Sequence, residues 1–246
     1  MMRYEKQVQL QEIGARGQQK LADATVTIVG VGALGSLTAS FLVRAGIGRT
    51  RLIDYDYVEL ANLHRQVLFN EEDVCNQALK GVAAKRALQK ANSDVVVDSV
   101  LKRLSPDNAL LLLSDTDIVV DATDNVPTRL LINDTCLQTG IPLVFGAVSD
   151  TSGLSMTIVP GETPCLRCAF PSIATAVEVP SSNNRGVFPP VVGEIAATQA
   201  AEAIKLIIGS APRQGLISVD SWSGNMESIE VKRSSNCQCS TRCQEE

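Results

Sequence analysis

The sequence predicts an α/β fold: a doubly wound, mostly parallel, Rossmann-like sheet with an antiparallel C-terminal portion and a zinc-bound tail. Between residues 25 and 146, apolar runs typical of buried strands alternate with helix-like segments, which indicates parallel strands joined by crossover helices. A glycine-rich turn at residues 30–35 joins the first of these strands to a helix. After residue 150, an alternating run at 155–159 and two later strand-like runs predict the antiparallel portion.

The glycine-rich turn predicts a nucleotide site. Its glycines, Gly30, Gly32 and Gly35, follow an apolar strand and precede a helical run. Residues without a Cβ let the backbone approach a phosphate, which then meets the helix N-terminus. Asp54 follows the next predicted strand and lies 19 residues after Gly35, close to the roughly 20 expected for an acid that holds a ribose hydroxyl. A purely structural turn is the alternative, and the turn alone does not distinguish a dinucleotide from ATP.

The remaining elements follow in chain order. The N-terminal segment 4–22 is predicted as an amphipathic helix that Gly14 and Gly17 interrupt, and residues 172–186 as a mobile loop without periodicity. The other predicted helices cover 36–45, 77–91, 129–137 and 191–208, and the predicted strands cover 25–29, 51–53, 95–97, 118–120, 142–146, 155–159, 216–220 and 228–232.

Composition limits the protein class. The 246 residues, 45% of them hydrophobic, fit one large domain with an N-terminal helical segment (1–24) and two halves (25–150 and 151–246). No apolar run of about 18 residues predicts a membrane span, and the N-terminus lacks a signal-peptide core. We therefore expect a cytoplasmic protein without a membrane partner. The formal net charge of −5 argues against a nucleic-acid partner.

Polar segments follow two predicted strands, at the sheet edge where α/β proteins bind ligands. After the strand 51–53, the segment from Asp54 carries Asp56, Asn62, Arg65 and Gln66. After the strand 118–120 comes Asp121-Ala122-Thr123-Asp124-Asn125. His64, the single histidine, is expected to be an ordinary surface residue.

The seven cysteines indicate a metal site. An odd, uneven set in a reducing compartment favours metal binding or catalysis over disulfides. Cys165 and Cys168 form a C-x-x-C knuckle, and four thiolates make a tetrahedral zinc site. Two of the three tail cysteines would complete it; the candidates are Cys237, Cys239 and Cys243. A redox C-x-x-C is the alternative. Cys75 and Cys136 are predicted to be packing residues.

Catalytic chemistry favours ATP over a nicotinamide cofactor. A hydride-transfer enzyme needs an acid–base residue, and His64 offers the one obvious group. ATP chemistry instead needs cations for the phosphates and an acid for Mg²⁺. Arg65, Lys80 and Asp124 supply that set. If the nucleophile is a carboxylate, it is already anionic at pH 7 and needs no general base, which fits a chain with one histidine.

Taken together, the motifs resemble those of the MoeB/ThiF family, the bacterial relatives of ubiquitin-activating enzymes. The matching motifs are R-Y-x-x-Q at 3–7, G-x-G-x-L-G at 30–35, D-x-D-x-V-x-x-x-N-L-x-R-Q at 54–66, D-A-T-D-N with a following Arg at 121–129, P-C-x-R-C at 164–168 and G-V-x-x-P-V-V-G…Q-A-x-E-A-I-K at 186–205. The resemblance implies a homodimer that binds ATP and Mg²⁺. It would adenylate the C-terminal Gly-Gly carboxylate of a ubiquitin-like sulfur-carrier protein and release pyrophosphate.

The resemblance also assigns residues. Arg65, Lys80 and Asp124 would be catalytic, with Asp124 binding Mg²⁺, Asp54 holding the ribose, and Asn62, Arg65 and Lys80 contacting the phosphates. The full expected nucleotide set is Gly30, Gly32, Gly35, Asp54, Asp56, Asn62, Arg65, Gln66, Lys80, Asp124, Asn125 and, from the neighbouring subunit, Lys6. Cys165 and Cys168 match the family's zinc ligands. Residues 25–150 would be the nucleotide-binding half and 151–246 the carrier-binding and zinc half.

Three departures from the family pattern matter. Lys6 replaces an arginine and loses the forked geometry of a guanidinium. Ser182 stands where many members carry a loop cysteine, so we expect the reaction to stop at the acyl-adenylate, with sulfur supplied by a separate donor. The tail cysteines are spaced C-x-C and C-x-x-x-C rather than C-x-x-C. The alternatives are an NAD-dependent oxidoreductase and a non-catalytic nucleotide-binding scaffold.

Overall fold

A computed structural model describes residues 2–172 and 186–235 together with residues 237 and 239. The strands are β1 (Thr25–Val29), β2 (Arg49–Ile53), β3 (Val96–Val100), β4 (Ile118–Asp121), β5 (Leu143–Ser149), β6 (Ser152–Ile158), β7 (Leu216–Asp220) and β8 (Asn225–Ile229). They form one sheet in the order β3-β2-β1-β4-β5-β6-β7-β8. The pairs from β3 to β5 are parallel, and those from β5 to β8 are antiparallel. The predicted fold class is confirmed.

Helices cover both faces of the parallel part of this sheet. They are α1 (Glu5–Val8), α2 (Gly14–Asp23), α3 (Ala33–Ala45), α4 (Glu71–Cys75), α5 (Lys80–Ala91), α6 (Ala109–Leu112), α7 (Val126–Thr139), α8 (Leu166–Ala169) and α9 (Pro189–Ile208), with short 3-10 turns at Met2–Tyr4 and Leu60–Asn62. The core under α3, α5 and α9 includes Leu42, Leu88 and Ala196, and the core under α6 and α7 includes Leu113 and Ile132. Burial on both faces explains why the central strands read as continuous apolar runs.

The sheet has its switch point between β1 and β4. These strands are neighbours, while β2 and β3 continue the sheet on one side and β5 on the other. The connections that leave β1 and β4 therefore run in opposite directions. In open α/β sheets this arrangement leaves a crevice beyond the carboxyl ends of the strands, where ligands bind.

Two predicted helices differ from the observed ones. The N-terminal segment contains separate helices, α1 and α2, and Gly14 begins α2 with a φ of +58°. Gly17 does not interrupt the helix, because it lies buried in α2 where a Cβ would be 3.1 Å from Ile13 Cγ2 and 3.4 Å from Ile208 Cγ2. The predicted helix 77–91 begins only at Lys80, after a φ of +49° at Gln77 ends the preceding turn.

The last predicted strand, 228–232, is displaced. Its observed counterpart, β8, starts three residues earlier because a tight turn with Gly224 at φ +76° pairs Asn225 with Asp220. The loop prediction for 172–186 falls largely outside the described residues, as do Ser182 and Cys243. Within the described residues, no helix is long and apolar enough to cross a membrane.

Candidate nucleotide site and cysteine cluster

Two of the three glycines in the glycine-rich turn are required sterically. Gly30 has a φ of +86°, and a Cβ there would lie 2.8 Å from the carbonyl oxygen of Ala122. A Cβ on Gly35 would lie 1.9 Å from the carbonyl oxygen of Gly30. Gly32, the N-cap residue of α3, differs, because the nearest atom to its Cβ position is Gln66 Nε2 at 3.7 Å. The protein itself would accommodate a side chain at Gly32, which leaves that position open toward the crevice.

The crevice at the switch point is a pocket of about 740 Å³, within the range of small-molecule sites. It brings together every expected nucleotide residue except Gly35 and Lys6: Gly30, Gly32, Asp54, Asp56, Asn62, Arg65, Gln66, Lys80, Asp124 and Asn125. Gly35 lies behind the turn, against Gly30. Lys6 lies on α1, exposed, with Nζ donating to Gln9 Oε1 at 3.3 Å.

Asp54 is held by the backbone at the end of β2. Its Oδ2 accepts from the Val31 N–H at 2.7 Å and its Oδ1 from the Asp56 N–H at 2.8 Å. Burial raises the pKa of this carboxyl above its ordinary value, and the two backbone donors partly offset that rise. Each carboxylate oxygen retains capacity to accept a further hydrogen bond. Asp54 is therefore a fixed acceptor at the edge of the pocket.

Lys80 presents a buried cation to the pocket. It is the first residue of α5 and only 7% exposed. Its Nζ lies 3.2 Å from Asp56 Oδ2, while the Asp56 side chain is half exposed. The Lys80 N–H also donates to the Asp56 carbonyl at 2.8 Å. Without a ligand, the lysine charge is balanced by a carboxylate that water can reach.

The segment after the turn Leu60–Asn62 adds the guanidinium of Arg65 and an amide oxygen of Gln66 that has no partner within the described residues. Arg65 Nη2 donates to Asn62 Oδ1 at 2.6 Å. Gln66 is 4% exposed, and its buried Oε1 has no hydrogen-bond partner within the described residues. Buried polar atoms are normally satisfied, so this oxygen is suited to a donor that enters the pocket. His64 is exposed on the rim, as expected.

The loop from Asp121 to Asn125 places an acid at the mouth of the pocket. Asp121 Oδ1 accepts from the Thr123 N–H at 2.9 Å and the Thr123 hydroxyl at 2.7 Å. Asn125 caps α7 by accepting from the Thr128 N–H at 3.0 Å. Asp124, between these anchored residues, is exposed and lines the pocket. Burial raises the pKa of Asp121, the carboxyl group beneath this loop.

Three cations of the pocket were not predicted. Arg129 Nη2 donates to the Thr123 carbonyl at 2.7 Å, and its guanidinium carbon lies 5.4 Å from the centroid of the Phe145 ring. Lys102 and Arg103 follow β3 and also line the pocket. Lys102 and Arg103 could have been predicted from their position directly after a third parallel strand. They were missed because the predicted strand ended at residue 97, whereas the observed strand ends at residue 100.

Four cysteines meet on the opposite face of the sheet from α9. The Sγ atoms of Cys165, Cys168, Cys237 and Cys239 all lie within 4.8 Å of one another. The Cys165–Cys237, Cys168–Cys239 and Cys165–Cys168 Sγ distances are 3.4, 3.5 and 4.0 Å. Four sulfurs at about 2.3 Å from a tetrahedral zinc would be about 3.8 Å apart. The cluster therefore has the composition and spacing to hold a metal ion.

The protonation state of these cysteines would depend on a bound cation. All four cysteines are buried, and burial raises the pKa of the Cys165 thiol to about 11. A coordinated divalent cation deprotonates such thiols. Of the tail candidates, Cys237 and Cys239 belong to the cluster, and Cys243 lies outside the described residues. Cys136 is fully buried, as predicted for a packing residue, whereas the prediction for Cys75 is wrong because its side chain is exposed at the end of α4.

The cluster is attached to the helix that starts at the pocket. Arg167 of α8 pairs with Asp134 of α7 through contacts of 2.9 and 2.5 Å. The Leu166 N–H donates to Asn133 Oδ1 at 3.0 Å, and Asn133 is fully buried. The Cys165–Cys168 knuckle is thereby fixed to the middle of α7, and Asn125 caps the N-terminus of the same helix.

Comparison with known proteins agrees with these features. The Bacillus subtilis sulfur carrier protein ThiS adenylyltransferase is 39% identical over 93% of this chain and 68% of that protein. A Thermus thermophilus sulfur carrier protein adenylyltransferase is 39% identical over 96% and 89%. Relatives named adenylyltransferase and sulfurtransferase MOCS3, from Xenopus laevis and others, are longer, and this chain spans about half their length.

Structural comparison gives the same fold. A crystal structure of E. coli MccB with ATP superposes with a TM-score of 0.78 at 30% identity, covering 92% of this chain and 68% of that one. The named relatives carry the activity that the motif resemblance implied. The family model of ThiF matches residues 4–241. The resemblance is confirmed, and this chain belongs to the ThiF family.

Proposed function

We propose that this protein is an ATP-dependent adenylyltransferase. It would activate the C-terminal Gly-Gly carboxylate of a ubiquitin-like sulfur-carrier protein as an acyl-adenylate and release pyrophosphate. The observation that carries the proposal is the composition of the crevice. One pocket combines a glycine turn, the fixed acceptor Asp54, the cations Arg65 and Lys80, and the exposed acid Asp124. Relatives that are 39% identical over more than nine-tenths of this chain are named for this activity.

The nucleotide would lie across the carboxyl ends of β1 and β2. Asp54 accepts from a ribose hydroxyl, because both of its oxygens are already oriented by backbone N–H groups. The phosphates approach the turn beside Gly32, where a side chain would occupy space in the pocket rather than contact the protein. The remaining proposed contacts to the nucleotide come from Gly30, Asp56, Asn62, Arg65, Gln66, Lys80 and Asn125.

Mg²⁺ would be held by Asp124 together with phosphate oxygens, and it would supply charge neutralisation at the triphosphate. Asp124 suits this role because it projects into the pocket from a loop whose flanking residues are fixed. Carboxylate oxygens are the ligands that Mg²⁺ prefers. The buried Asp121 remains below the loop as its anchor.

Catalysis in this site is positioning and charge neutralisation. A carrier oxygen attacks the α-phosphorus, the bond from that phosphorus to the bridging oxygen breaks, and pyrophosphate leaves with the electron pair. The attacking carboxylate needs no general base, which fits a pocket whose single histidine is exposed on the rim. Lys80 shifts from Asp56 toward the phosphates, since a polyphosphate carries more charge than one carboxylate.

A zinc ion, a second subunit and a separate sulfur donor complete the proposed system. Zinc would bind Cys165, Cys168, Cys237 and Cys239 as a structural ion. Two chains would form a homodimer, in which Lys6 of each serves the neighbouring nucleotide. Residues 25–150 form the nucleotide-binding half and residues 151–246 the carrier and zinc half. Because Ser182 replaces a cysteine, the enzyme stops at the acyl-adenylate, and a separate donor supplies sulfur.

Two measurements test the function. Thermal unfolding with ATP and Mg²⁺, and separately with NAD, distinguishes an adenylyltransferase from an oxidoreductase; we expect protection by ATP. ATP–pyrophosphate exchange is then measured with purified ubiquitin-like carriers ending in Gly-Gly, each beside a variant lacking the last glycine. Exchange that depends on the terminal glycine supports the proposal. ATP binding with no exchange for any carrier would indicate a non-catalytic scaffold.

A further inference from the structure

A buried glutamine joins the elements beneath the pocket. Gln199 lies in the middle of α9 and is fully buried. Its Nε2 donates to the Asp121 carbonyl at 2.7 Å and to the Val144 carbonyl at 3.3 Å. Its Oε1 accepts from the Thr38 hydroxyl at 3.1 Å. One side-chain amide therefore connects the end of β4, strand β5 and the helix α3 that follows the glycine turn.

The sheet makes room for this amide. Gly146 of β5 faces Gln199, and a Cβ on Gly146 would lie 2.5 Å from Nε2 and 2.6 Å from Cδ. An alanine at Gly146 would displace the amide from both carbonyl oxygens. The two carbonyls and the single hydroxyl also fix which end of the amide faces the strands. Close packing and hydrogen bonds therefore hold the Gln199 side chain in one orientation.

The carbonyl that Gln199 holds belongs to the loop beneath the nucleotide. Asp121 precedes Ala122, whose carbonyl oxygen would lie 2.8 Å from a Cβ on Gly30 and whose Cβ would lie 3.3 Å from a Cβ on Gly35. The Ala122 N–H donates to the Val29 carbonyl at 2.9 Å. This close packing leaves no room for the loop to shift without moving the turn.

We propose that Gln199 is a positioning residue for the nucleotide site. From beneath, it fixes the distance between the loop 121–125, which carries Asp124, and the glycine turn that leads into α3. Gln199 itself does not line the pocket, so its role would be indirect. The inference rests on the proposed function, because it assumes that the turn and Asp124 act on one nucleotide.

The test compares two buried polar residues of the same helix. Gln199→Met removes the amide and keeps a side chain of similar length. Glu202→Gln is the matched control, since Glu202 is 5% exposed on α9 and accepts from the Thr157 hydroxyl at 3.1 Å and the Arg213 N–H at 2.8 Å, away from the loop. Each variant is examined by thermal unfolding and by calorimetric titration with a non-hydrolysable ATP analogue and Mg²⁺.

We expect both variants to unfold at lower temperature, because Gln199→Met loses buried hydrogen bonds and Glu202→Gln loses the ion pair with Lys205 at 2.7 Å. The affinity for the analogue should fall about tenfold in Gln199→Met, the size of effect that lost buried hydrogen bonds produce, and change less than about twofold in Glu202→Gln. Wild-type affinity in Gln199→Met would overturn the inference and leave the proposed function intact. A wild-type protein that binds no analogue would contradict the nucleotide site itself.

A second variant keeps the test decisive if Gln199→Met does not fold. Thr38→Val removes the hydroxyl that orients the amide and preserves the shape of the side chain. It should weaken analogue binding by about threefold, the effect expected for one neutral hydrogen bond. An unchanged affinity in a folded Thr38→Val protein would show that the orientation of the amide does not matter to the pocket.

Discussion

The nucleotide crevice and the cysteine cluster use polar groups in opposite ways. In the crevice, Asp54 and Asn125 accept backbone N–H groups while facing an open pocket. In the cluster, the sulfur atoms of four buried cysteines face one another. Backbone hydrogen bonds can preform the crevice without a ligand, whereas four thiolates at this spacing repel one another unless a cation joins them.

The two regions should therefore respond differently to mutation. Loss of an exposed crevice side chain such as Asp124 removes ligand contacts and leaves the scaffold, because the backbone around it is held by the sheet and by Asp121 and Asn125. Loss of a cluster ligand removes a connection between the tail and α8, which is itself fixed to α7. The first kind of change should affect chemistry, and the second should affect folding.

The largest effect is expected at the cluster. Wild-type protein should contain about one zinc ion per chain, and the double variant Cys165→Ser, Cys168→Ser should contain none. Zinc binding contributes on the order of 10 kcal/mol to the folding of small zinc domains, so this variant should unfold at a much lower temperature. Elemental analysis and thermal unfolding give both values. Cys75→Ser, an exposed cysteine, is the control; full zinc retention in the double variant would refute the site.

A change in the crevice should separate activity from stability. Asp124→Ala should lower pyrophosphate exchange about 10³-fold, as removal of one charge-stabilising group does in other enzymes. The unfolding temperature should stay near that of wild type, because Asp124 is exposed. Asp107→Ala, an exposed acid outside the pocket, serves as the control. Near-normal exchange in Asp124→Ala would remove this residue from the proposed Mg²⁺ site.

The glycine turn offers a comparison within the crevice itself. Gly30→Ala should destabilise the fold by about 1–3 kcal/mol, since Gly30 has a φ of +86° and a Cβ would contact the Ala122 carbonyl. Gly32→Ala should fold normally, because its Cβ meets no protein atom closer than 3.7 Å. It should bind ATP more weakly, because the added methyl group would lie on the wall of the pocket. Denaturant unfolding and ATP titration of both variants measure the difference. Equal stability losses would contradict the different constraints on the two glycines.

The smallest effect concerns pH. Burial raises the pKa of Asp121 in the folded state above its unfolded value, so the folded protein binds more protons in the interval between the two. The contribution of Asp121 to the free energy of unfolding therefore falls as pH rises from the ordinary aspartate pKa range through the pKa of Asp121 in the folded state. Asp121→Asn cannot ionise and should therefore flatten this dependence, which denaturant unfolding at several pH values measures. A steeper decline with pH in the variant would contradict this account.

The sequence predicted most of the crevice because its residues follow strands directly. Glycine spacing after an apolar run identified the turn, and strand ends identified the segments that carry Asp54 and Asp124. Parallel pairing then brings those strand ends to one edge of the sheet. Arg129 was missed as a site residue because its place depends on the turn of α7 and its contact with Phe145, which no local pattern specifies.

Contacts between distant segments were harder to predict. The C-x-x-C spacing identified Cys165 and Cys168, but only the folded chain selects Cys237 and Cys239 as their neighbours. In the sequence, Gln199 is one of several polar residues in a long, mostly apolar helix. Its contacts with Thr38 and Asp121 join positions 161 and 78 residues away. Such side-chain contacts depend on how helices pack on the sheet, and periodicity does not encode that packing.

We expect this chain to form a free acyl-adenylate on a carrier C-terminus. The most direct test incubates the protein with ATP, Mg²⁺ and a Gly-Gly carrier, followed by intact-mass analysis and a non-reducing gel. The account predicts a carrier that gains one AMP group, only when ATP and the terminal glycine are present, with no covalent enzyme–carrier species. A carrier unchanged in mass, in the absence of any exchange, would contradict adenylation. A thiol-released adduct on Cys75, Cys136 or a tail cysteine would contradict a reaction that stops at the adenylate.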